Sequence, residues 1–289
     1  MRIGIFAKTF TRSSPEDVFD ALASHDLRHT QFNMSVAGLP SMPDEIESAL
    51  ADRMREAAAN RNITVAAVSG TFNMAHPDEE VRKDGLRRLD VIAGACQRLG
   101  TSVITLCTGT RDRKNMWRRH PDNGTPEAWR DMLATTQEAL QTAEEHGLTL
   151  AFEPEINNVV DSAAKGRRLL DQMRSPRLKV VMDAANLFDA DDPGRRLSRS
   201  EEVLEEAFEL LGGELLLAHA KDVKGTGEIV AAGKGELDYD LYLKRLSQVR
   251  YGGPLLMHGL DEEEVEGSLA FLRGKMAEVG ISKAGETRR

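Results

Sequence analysis

The amino-acid sequence predicts an α/β fold, a single-domain (β/α)8 barrel of the TIM type. Three observations lead to this fold class. Eight short apolar segments alternate strictly with eight helical patterns, as the strands and helices of a barrel do. The length of 289 residues falls in the usual range for this fold. No change of composition marks a linker, so we expect one domain over residues 1–281 and a polar tail at 282–289.

The predicted strands are short apolar runs bounded by turn residues. Such runs are typical of strands that are buried on both faces of a parallel sheet. The second run gives the weakest pattern. In chain order, the predicted strands span residues 2–10, 29–36, 64–72, 102–108, 148–155, 178–186, 215–222 and 254–260.

A helix is predicted after each strand, from apolar residues three and four positions apart. Ser14 with Pro15 is a typical helix start, and Gly100 is a typical helix end. The first, second and fourth predicted helices begin near residues 14, 44 and 125, and the third ends before Gly100. The other four span roughly 161–173, 201–211, 240–249 and 262–279.

Glycine patterns separate the barrel from its alternative, a doubly wound open sheet. That fold places G-x-G-x-x-G after its first strand, whereas residues 3–10 read IGIFAKTF. The glycine-rich stretch at 225–235 follows the seventh predicted strand. Barrels often build a phosphate or substrate loop there, although a glycine cluster alone is weak evidence.

Four predicted strands end in side chains that can bind a divalent metal: Glu153, Asp183, His219 and His258. Because parallel barrel strands present their carboxyl ends at one face, these side chains are expected to converge. Converging carboxylates and imidazoles require a cation. The two histidines favour Mn, Co, Fe or Zn, with Mg less suited. For any single residue, the alternative is a polar side chain where a strand meets solvent.

Loops after the third and fourth strands carry further candidates for substrate binding. His76 precedes Pro77 and either contacts substrate or shapes the start of the next helix. Trp117 and His120 lie in a basic loop at 109–123 that is too long for an ordinary connection. We expect both to cover the mouth of a pocket. The arginines around them fit a solvated basic face better than a phosphate clamp.

Charge and cysteine content exclude several functional classes. The net charge of -9 and pI near 5.4 oppose binding to nucleic acid or to an anionic membrane. No apolar run approaches the roughly 18 residues of a membrane span, and the N-terminus lacks a signal-peptide layout, so we expect a cytoplasmic protein. Cys96 and Cys107 suggest neither a disulfide nor a zinc ribbon. The sequence is compatible with a homo-oligomer.

These motifs resemble the xylose isomerase-like barrels, and within them the sugar phosphate isomerases and epimerases. The resemblance covers nearly the whole chain. It is carried by Glu153, the D-x-x-N of 183–186, the H-x-K-D of 219–222, GKGELDYD at 233–240 and YGGPLLMH at 251–258. SGTFNMAHPD at 69–78 and the loop at 109–123 are similar to a subgroup of the family.

The resemblance implies one divalent metal, held by Glu, Asp, His and Glu at the ends of strands five to eight. It also implies that the two glutamates move a proton between adjacent sugar carbons through a metal-stabilised enediolate. Glu153, Asp183 and His219 match this set. The fourth position departs from it, because His258 replaces the second glutamate and the pair of carboxylate bases is lost. Asn186, a predicted substrate contact, stands where relatives often have a histidine.

The catalytic candidates follow from the chemistry of proton removal beside a carbonyl. That step needs a base and a cation that absorbs the developing charge. Glu153 is predicted to touch the metal and act as base, with His258 and Glu155 as further catalytic residues. The alternative for Glu155 is a solvated loop acid. Lys221 and Asp222 are predicted to hold substrate; the alternative is a helix-capping pair at a strand exit.

We therefore expect a metal-dependent isomerase or epimerase that acts on a sugar, a sugar phosphate or a keto-sugar. His258 raises an alternative on the same scaffold, a lyase, dehydratase or hydrolase, because one base and a metal suffice for these reactions. A nuclease like the AP endonucleases ranks low, since the seven histidines are scattered. Outside enzymes, the alternative is a sugar-binding barrel without turnover.

Overall fold

In the part of the chain that the structure describes, eight parallel strands and one short antiparallel strand form the sheet. The computed structural model describes residues 1–189, 191–192 and 195–281, so the predicted tail at 282–289 lies outside the described residues. The strands are β1 (Arg2–Phe6), β2 (His29–Phe32), β3 (Thr64–Ser69), β4 (Val103–Cys107), β5 (Thr149–Glu153), β6 (Leu178–Asp183), β7 (Leu215–Val223), β8 (Ile229–Ala231) and β9 (Pro254–Met257).

The eight parallel strands close into a barrel. Strands β1 to β6 pair in sequence order, and β6 pairs in turn with β7. The ring continues from β7 to β9, and β9 pairs with β1 from Arg2 opposite Pro254 to Ile5 opposite Met257. The predicted (β/α)8 barrel is therefore confirmed.

Eight α-helices connect these strands in the described part of the chain. They begin where the sequence offers caps: the backbone N–H of Asp17 donates to Ser14 Oγ, and that of Ala128 donates to Thr125 Oγ1, both at 3.2 Å. Within the described residues, no helix combines the length and apolar character of a membrane span. The helices are α1 (Pro15–Ser24), α2 (Ser48–Ala59), α3 (Glu79–Leu99), α4 (Pro126–Glu145), α5 (Ala163–Met173), α6 (Ser200–Leu211), α7 (Tyr239–Gln248) and α8 (Val265–Glu278).

The structure corrects three predictions about the strands. The first two strands are shorter than predicted, because each runs into a short 3-10 helix, at Ala7–Thr9 and at Met34–Ala37. The sequence also missed β8, which folds back on β7 as an antiparallel hairpin beyond the barrel. Its turn lies in the glycine-rich stretch, where no long apolar run signals a strand.

A thin apolar layer fills the barrel interior, beneath a polar layer at the carboxyl end. The apolar layer comprises Ala67, Ala151, Val181, Leu217 and Leu256. Side chains alternate between the two faces of a strand, so the residue two positions later also points inward. Those residues are Ser69, Glu153, Asp183, His219 and His258. The larger apolar core packs between the strands and the helices, which leaves the polar layer on a rigid floor.

Candidate metal centre

Asp183, His219 and His258 form a compact cluster at the carboxyl end of the barrel, which we call the metal group. Each residue offers one ligand atom, and these atoms all lie within 4.8 Å of one another. They converge because β6, β7 and β9 are neighbours in the ring, and the β6–β7 register places Asp183 opposite His219. The structure thus brings together three of the four predicted metal ligands.

Two buried ring nitrogens of the metal group, His219 Nδ1 and His258 Nδ1, have no hydrogen-bond partner among the described residues. The third ligand atom, Asp183 Oδ2, lies 2.8 Å from Lys221 Nζ. Leaving a buried polar atom without a partner costs about 1–3 kcal/mol, so native proteins rarely do so without a reason. A carboxylate together with two imidazoles that have unpaired nitrogens fits a divalent cation, which makes this group the candidate metal site.

Glu153 lies beside the metal group, at the end of β5. Its Oε2 is 3.5 Å from His219 Nδ1. Its Oε1 accepts a hydrogen bond from Asn186 Nδ2 at 2.5 Å. Asn186 is buried and follows β6 in a 3-10 turn, so it orients the carboxylate with one oxygen held and the other directed at the metal group.

Lys221 brings a positive charge into the same space. Its Nζ lies 2.8 Å from Asp183 Oδ2 and 3.5 Å from Glu153 Oε1. Burial would lower the pKa of Lys221, but the charges of Asp183 and Glu153 outweigh burial and hold this pKa above its ordinary value. The ammonium therefore partly neutralises the two carboxylates of the site.

The two histidines of the metal group differ in their preferred charge. Burial lowers the pKa of His219, but Glu153 and Asp183 outweigh it and raise the pKa to about 9. For His258, burial and the positive charges of Lys221 and His219 hold the pKa well below its ordinary value. His258 is therefore neutral at physiological pH and retains a nitrogen lone pair.

Glu155 lies two residues beyond Glu153, in a turn at the same end of the barrel. Burial, together with the charge of Glu153, raises the pKa of Glu155 to about 7. The turn holds its backbone in place: its N–H donates to the carbonyl of Val160 at 3.0 Å, and its carbonyl accepts from the N–H of Asn158 at 2.8 Å. Glu155 is thus more enclosed than a solvated loop acid.

Asp222 organises the chain beyond β7. Its Oδ1 accepts from the backbone N–H groups of Val223 and Leu237, both at 2.9 Å, and its Oδ2 accepts from that of Gly233 at 3.0 Å. Neighbouring strand residues face opposite sides, so Asp222 points away from the side to which Lys221 points. The oxygens of Asp222 therefore hold the segment after β8, and its role in substrate binding stays a prediction.

The candidates in the loops have partners of their own. His76 Nδ1 accepts a backbone N–H at the start of α3, and its Nε2 lies 3.3 Å from the carbonyl of Arg113, which agrees with a structural role. His120 Nδ1 accepts the N–H of Asp122 at 3.2 Å, and the residue lines a cavity of about 530 Å³. Trp117 is 50% exposed and free to meet a ligand.

A larger cavity, of about 800 Å³, lies between the β7–β8 hairpin and the chain after β9, and no residue of the metal group lines it. Gly259, which follows His258 directly, lines it, and a Cβ built at Gly259 would lie 3.5 Å from side-chain carbons of Lys221. Its volume suits a small-molecule ligand. The remaining lining residues are Lys224, Glu228, Ile229, Val230, Ala231, Lys234, Leu260, Asp261 and Glu264.

Sequence reasoning missed Gln31, which lies in β2, the weakest predicted strand. Gln31 is buried, with 4% of its surface exposed, and its Oε1 is 2.9 Å from His219 Nε2. Its Nε2 donates to Ser69 Oγ and Thr105 Oγ1, both at 3.0 Å. The available signal was a long polar amide inside a barrel strand, a position where burial without partners is costly.

Comparison with known proteins supplies a family. The family model described as "Xylose isomerase-like TIM barrel" matches residues 18–275. None of the curated proteins matches the sequence. Among solved structures, the IolI protein with a binding zinc atom is 16% identical with a TM-score of 0.73, and the alignment covers 99% of this chain and 100% of that one.

Two further solved structures share the fold. D-psicose 3-epimerase from Clostridium cellulolyticum H10, solved with D-tagatose, is 16% identical with a TM-score of 0.71, covering 96% of this chain and 99% of that one. The probable 3-DHS dehydratase AsbF from Bacillus anthracis is 11% identical with a TM-score of 0.71, covering 94% and 98%. At these identities the likeness establishes the fold, and the reaction has to be argued from the site.

Proposed function

This chain belongs to the xylose isomerase-like TIM barrel family, and we propose that it is a metal-dependent isomerase or epimerase acting on a sugar, a sugar phosphate or a keto-sugar. The observation that carries the proposal is the metal group, whose ligand atoms lie within 4.8 Å of one another and include two buried ring nitrogens without partners among the described residues. Glu153, an acid that can accept a proton, lies beside it. The shared fold with a D-psicose 3-epimerase supports this class of substrate.

The metal group and Glu153 would hold the cation. When bound, a divalent metal polarises a substrate carbonyl and stabilises the negative charge that develops as a proton leaves the neighbouring carbon. The two imidazoles favour Zn, Mn, Co or Fe over Mg, which prefers oxygen ligands. IolI, with its zinc atom, is consistent with this preference.

Glu153 is the proposed base. Asn186 holds its Oε1 through a hydrogen bond, which orients the carboxylate that takes the proton from carbon. Lys221 lies 3.5 Å from the same carboxylate, where its ammonium can donate to a substrate oxygen on which charge develops. In this arrangement Glu153 removes the proton, and Lys221 stabilises the negative charge that develops on the substrate.

The replacement of the second glutamate by His258 bears on the type of reaction. Moving a proton between adjacent carbons on one face of a substrate needs a single base, which Glu153 supplies. Inverting one carbon requires a donor on the opposite face, and Glu155, the carboxylate closest in sequence, is the proposed donor in that case. The site as built therefore favours isomerisation, and epimerisation depends on Glu155.

The test combines metal exchange with isotope incorporation. The protein is stripped with a chelator, reloaded separately with Zn, Mn, Co, Fe or Mg, and incubated in D2O with aldoses, ketoses and their phosphates. We expect turnover only after reloading, with solvent deuterium at the carbon beside the carbonyl of the recovered sugar. Turnover that survives chelation in protein free of metal would refute the proposal. Metal-dependent nicking of abasic DNA, or sugar binding without turnover, would favour the low-ranked alternatives.

A dehydratase or other lyase is the second candidate function. Two observations favour it: His258 leaves one strand-end carboxylate base, which suffices for elimination, and the fold is shared with a probable dehydratase. The same incubation distinguishes the two classes, because an elimination changes the mass of the product by one water or alters its carbon skeleton, whereas an isomerase leaves the mass unchanged apart from exchanged deuterium.

A further inference from the structure

The contact between Gln31 and His219 joins two strands on different sides of the barrel. Strand β2 is separated from β7 by β1 and β9 in the ring, yet Gln31 Oε1 reaches to 2.9 Å from His219 Nε2. Both residues are buried. The hydrogen bond therefore crosses the barrel interior at the level of the metal group.

The position of the two nitrogens of His219 divides their roles. Nδ1 faces the carboxylates, 3.4 Å from Asp183 Oδ2 and 3.5 Å from Glu153 Oε2, and has no hydrogen-bond partner among the described residues. Nε2 faces Gln31. A neutral imidazole that binds a metal through Nδ1 carries its proton on Nε2, and this N–H requires an acceptor.

Gln31 is held so that it presents that acceptor. A glutamine amide offers one oxygen and two N–H donors. Ser69 Oγ and Thr105 Oγ1, each 3.0 Å from Gln31 Nε2, take the two donors, so the amide oxygen is left for His219. The orientation with Oε1 towards His219 is the one that pairs every hydrogen of the amide and matches a metal at Nδ1.

We propose that Gln31 is a positioning residue for the metal centre: its amide oxygen fixes the tautomer and rotation of His219, so that Nδ1 points at the cation. This inference rests on the proposed metal centre. Groups that hold the second nitrogen of a ligating histidine orient the ring and raise its basicity, and their loss typically lowers metal affinity about 10- to 100-fold. Gln31 touches neither the cation nor the substrate in this role.

The test uses zinc as the probe and dissociation constants as the readout. Gln31→Met keeps the length of the side chain and removes the acceptor, so zinc affinity is expected to fall about 10- to 100-fold. Gln31→Glu keeps an acceptor for His219, and the hydroxyls of Ser69 and Thr105 can donate to it, so affinity is expected to return to within a few-fold of wild type. Zinc affinity that falls in Gln31→Met and is retained in Gln31→Glu is an outcome that a merely structural role would not produce.

A matched control separates positioning from loss of core stability. Thr30 neighbours Gln31 on β2, is buried, and donates from Oγ1 to the carbonyl of Ile5 at 2.8 Å. Thr30→Val removes buried hydrogen bonds to the carbonyls of Ile5 and Gln31 and leaves the partners of the Gln31 side chain in place, so zinc affinity is expected to stay unchanged. If Gln31→Met does not fold, the pair Ser69→Ala with Thr105→Val releases the amide and is expected to weaken zinc binding severalfold.

The outcomes distinguish this inference from the proposed function. Wild-type protein that binds zinc while Gln31→Met binds it equally well would overturn the role of Gln31 and leave the metal centre in place. Wild-type protein that binds no zinc would overturn both. Nitrogen-15 NMR of the zinc-loaded protein gives an independent readout: His219 is expected to show a protonated Nε2 in wild type, and the same tautomer with the same line width in Gln31→Met would count against the proposal.

Discussion

The metal group and the loop between β4 and α4 (residues 108–125) both bury polar side chains, but they satisfy them differently. In the loop, Asp112 accepts from the backbone N–H groups of Lys114 and Asn115, both at 2.9 Å, and pairs with Arg118. Asn123 Oδ1 accepts from Thr110 and Arg111, and its Nδ2 donates to a carbonyl. In the metal group, the ring nitrogens His219 Nδ1 and His258 Nδ1 lack partners among the described residues.

The difference separates architecture from ligand binding. Polar groups that find partners within the chain fix the backbone, and a cluster of ligand-type atoms left unpaired marks a candidate binding site. The arginines of the loop follow the same logic: Arg111 pairs with Asp131 and Arg119 with Asp189, both at 2.7 Å. Their charges are engaged by the protein itself, which agrees with the predicted basic face more than with a phosphate clamp.

The largest effect on zinc affinity is expected from Asp183→Asn, and Asp112→Asn in the loop is its control. Asp183 supplies the only carboxylate within the metal group, so we expect zinc affinity to fall by more than the roughly 100-fold that an outer partner is worth. Asp112→Asn is expected to leave zinc affinity unchanged. Competition titration against a zinc-binding dye measures both, and similar losses in the two variants would break the distinction between the regions.

His258→Ala comes next, with His146→Ala as its control. His258 is one of the two imidazoles of the metal group, and its loss is expected to weaken zinc binding by at least the roughly 10- to 100-fold that the loss of an outer partner costs, with the fold intact. His146, which pairs with Asp90 outside the barrel mouth, is expected to have no effect. His258→Glu should keep metal bound or shift preference towards Mg.

Metal stoichiometry provides the decisive outcome for His258. Equal zinc content and equal dissociation constants in wild type and His258→Ala would remove His258 from the site. The ligands would then be Glu153, Asp183 and His219, and the orphaned ring nitrogen of His258 would belong to a structural histidine.

Lys221→Met tests how the positive charge beside the metal group affects zinc binding. Lys221 lies 2.8 Å from Asp183 Oδ2 and repels any cation bound there, so its removal is expected to tighten zinc binding about tenfold, by Coulomb energy in a medium of intermediate dielectric. Metal-free protein should be less stable, because Asp183 loses its counter-charge. The rise in Tm on adding zinc should therefore exceed that of wild type. Lys224→Met, which breaks only the pair with Glu228, should match wild type, and a smaller zinc-induced rise in Lys221→Met would contradict this account.

The sequence predicted the barrel and the convergence of its strand ends, because both follow from local periodicity. A period of two along β6 and β7 is enough to place Asp183 and His219 on the inner face. The same period did not predict the backbone partners of Asp222, because β7 continues past the barrel into a hairpin. The glycine-rich stretch contains no pattern that predicts this hairpin. Gln31 lies 188 residues from its partner, and no local pattern encodes such a contact.

The smallest effect is expected from Asp112→Asn on stability, and its dependence on pH tests whether charge holds the loop. The N–H groups of Lys114 and Asn115, with Arg118, lower the pKa of Asp112 from 3.8 to about 2. A lowered pKa contributes stability above the unfolded value that is lost as pH falls through about 2. Urea midpoints of wild type should therefore exceed those of Asp112→Asn slightly at pH 7 and 4, and the two should converge near pH 2. A difference between the two urea midpoints that persists at pH 2 would mean that Asp112 stabilises the loop through its shape rather than its charge. The contrast between charge pairing in the loop and unpaired atoms in the metal group would then not hold.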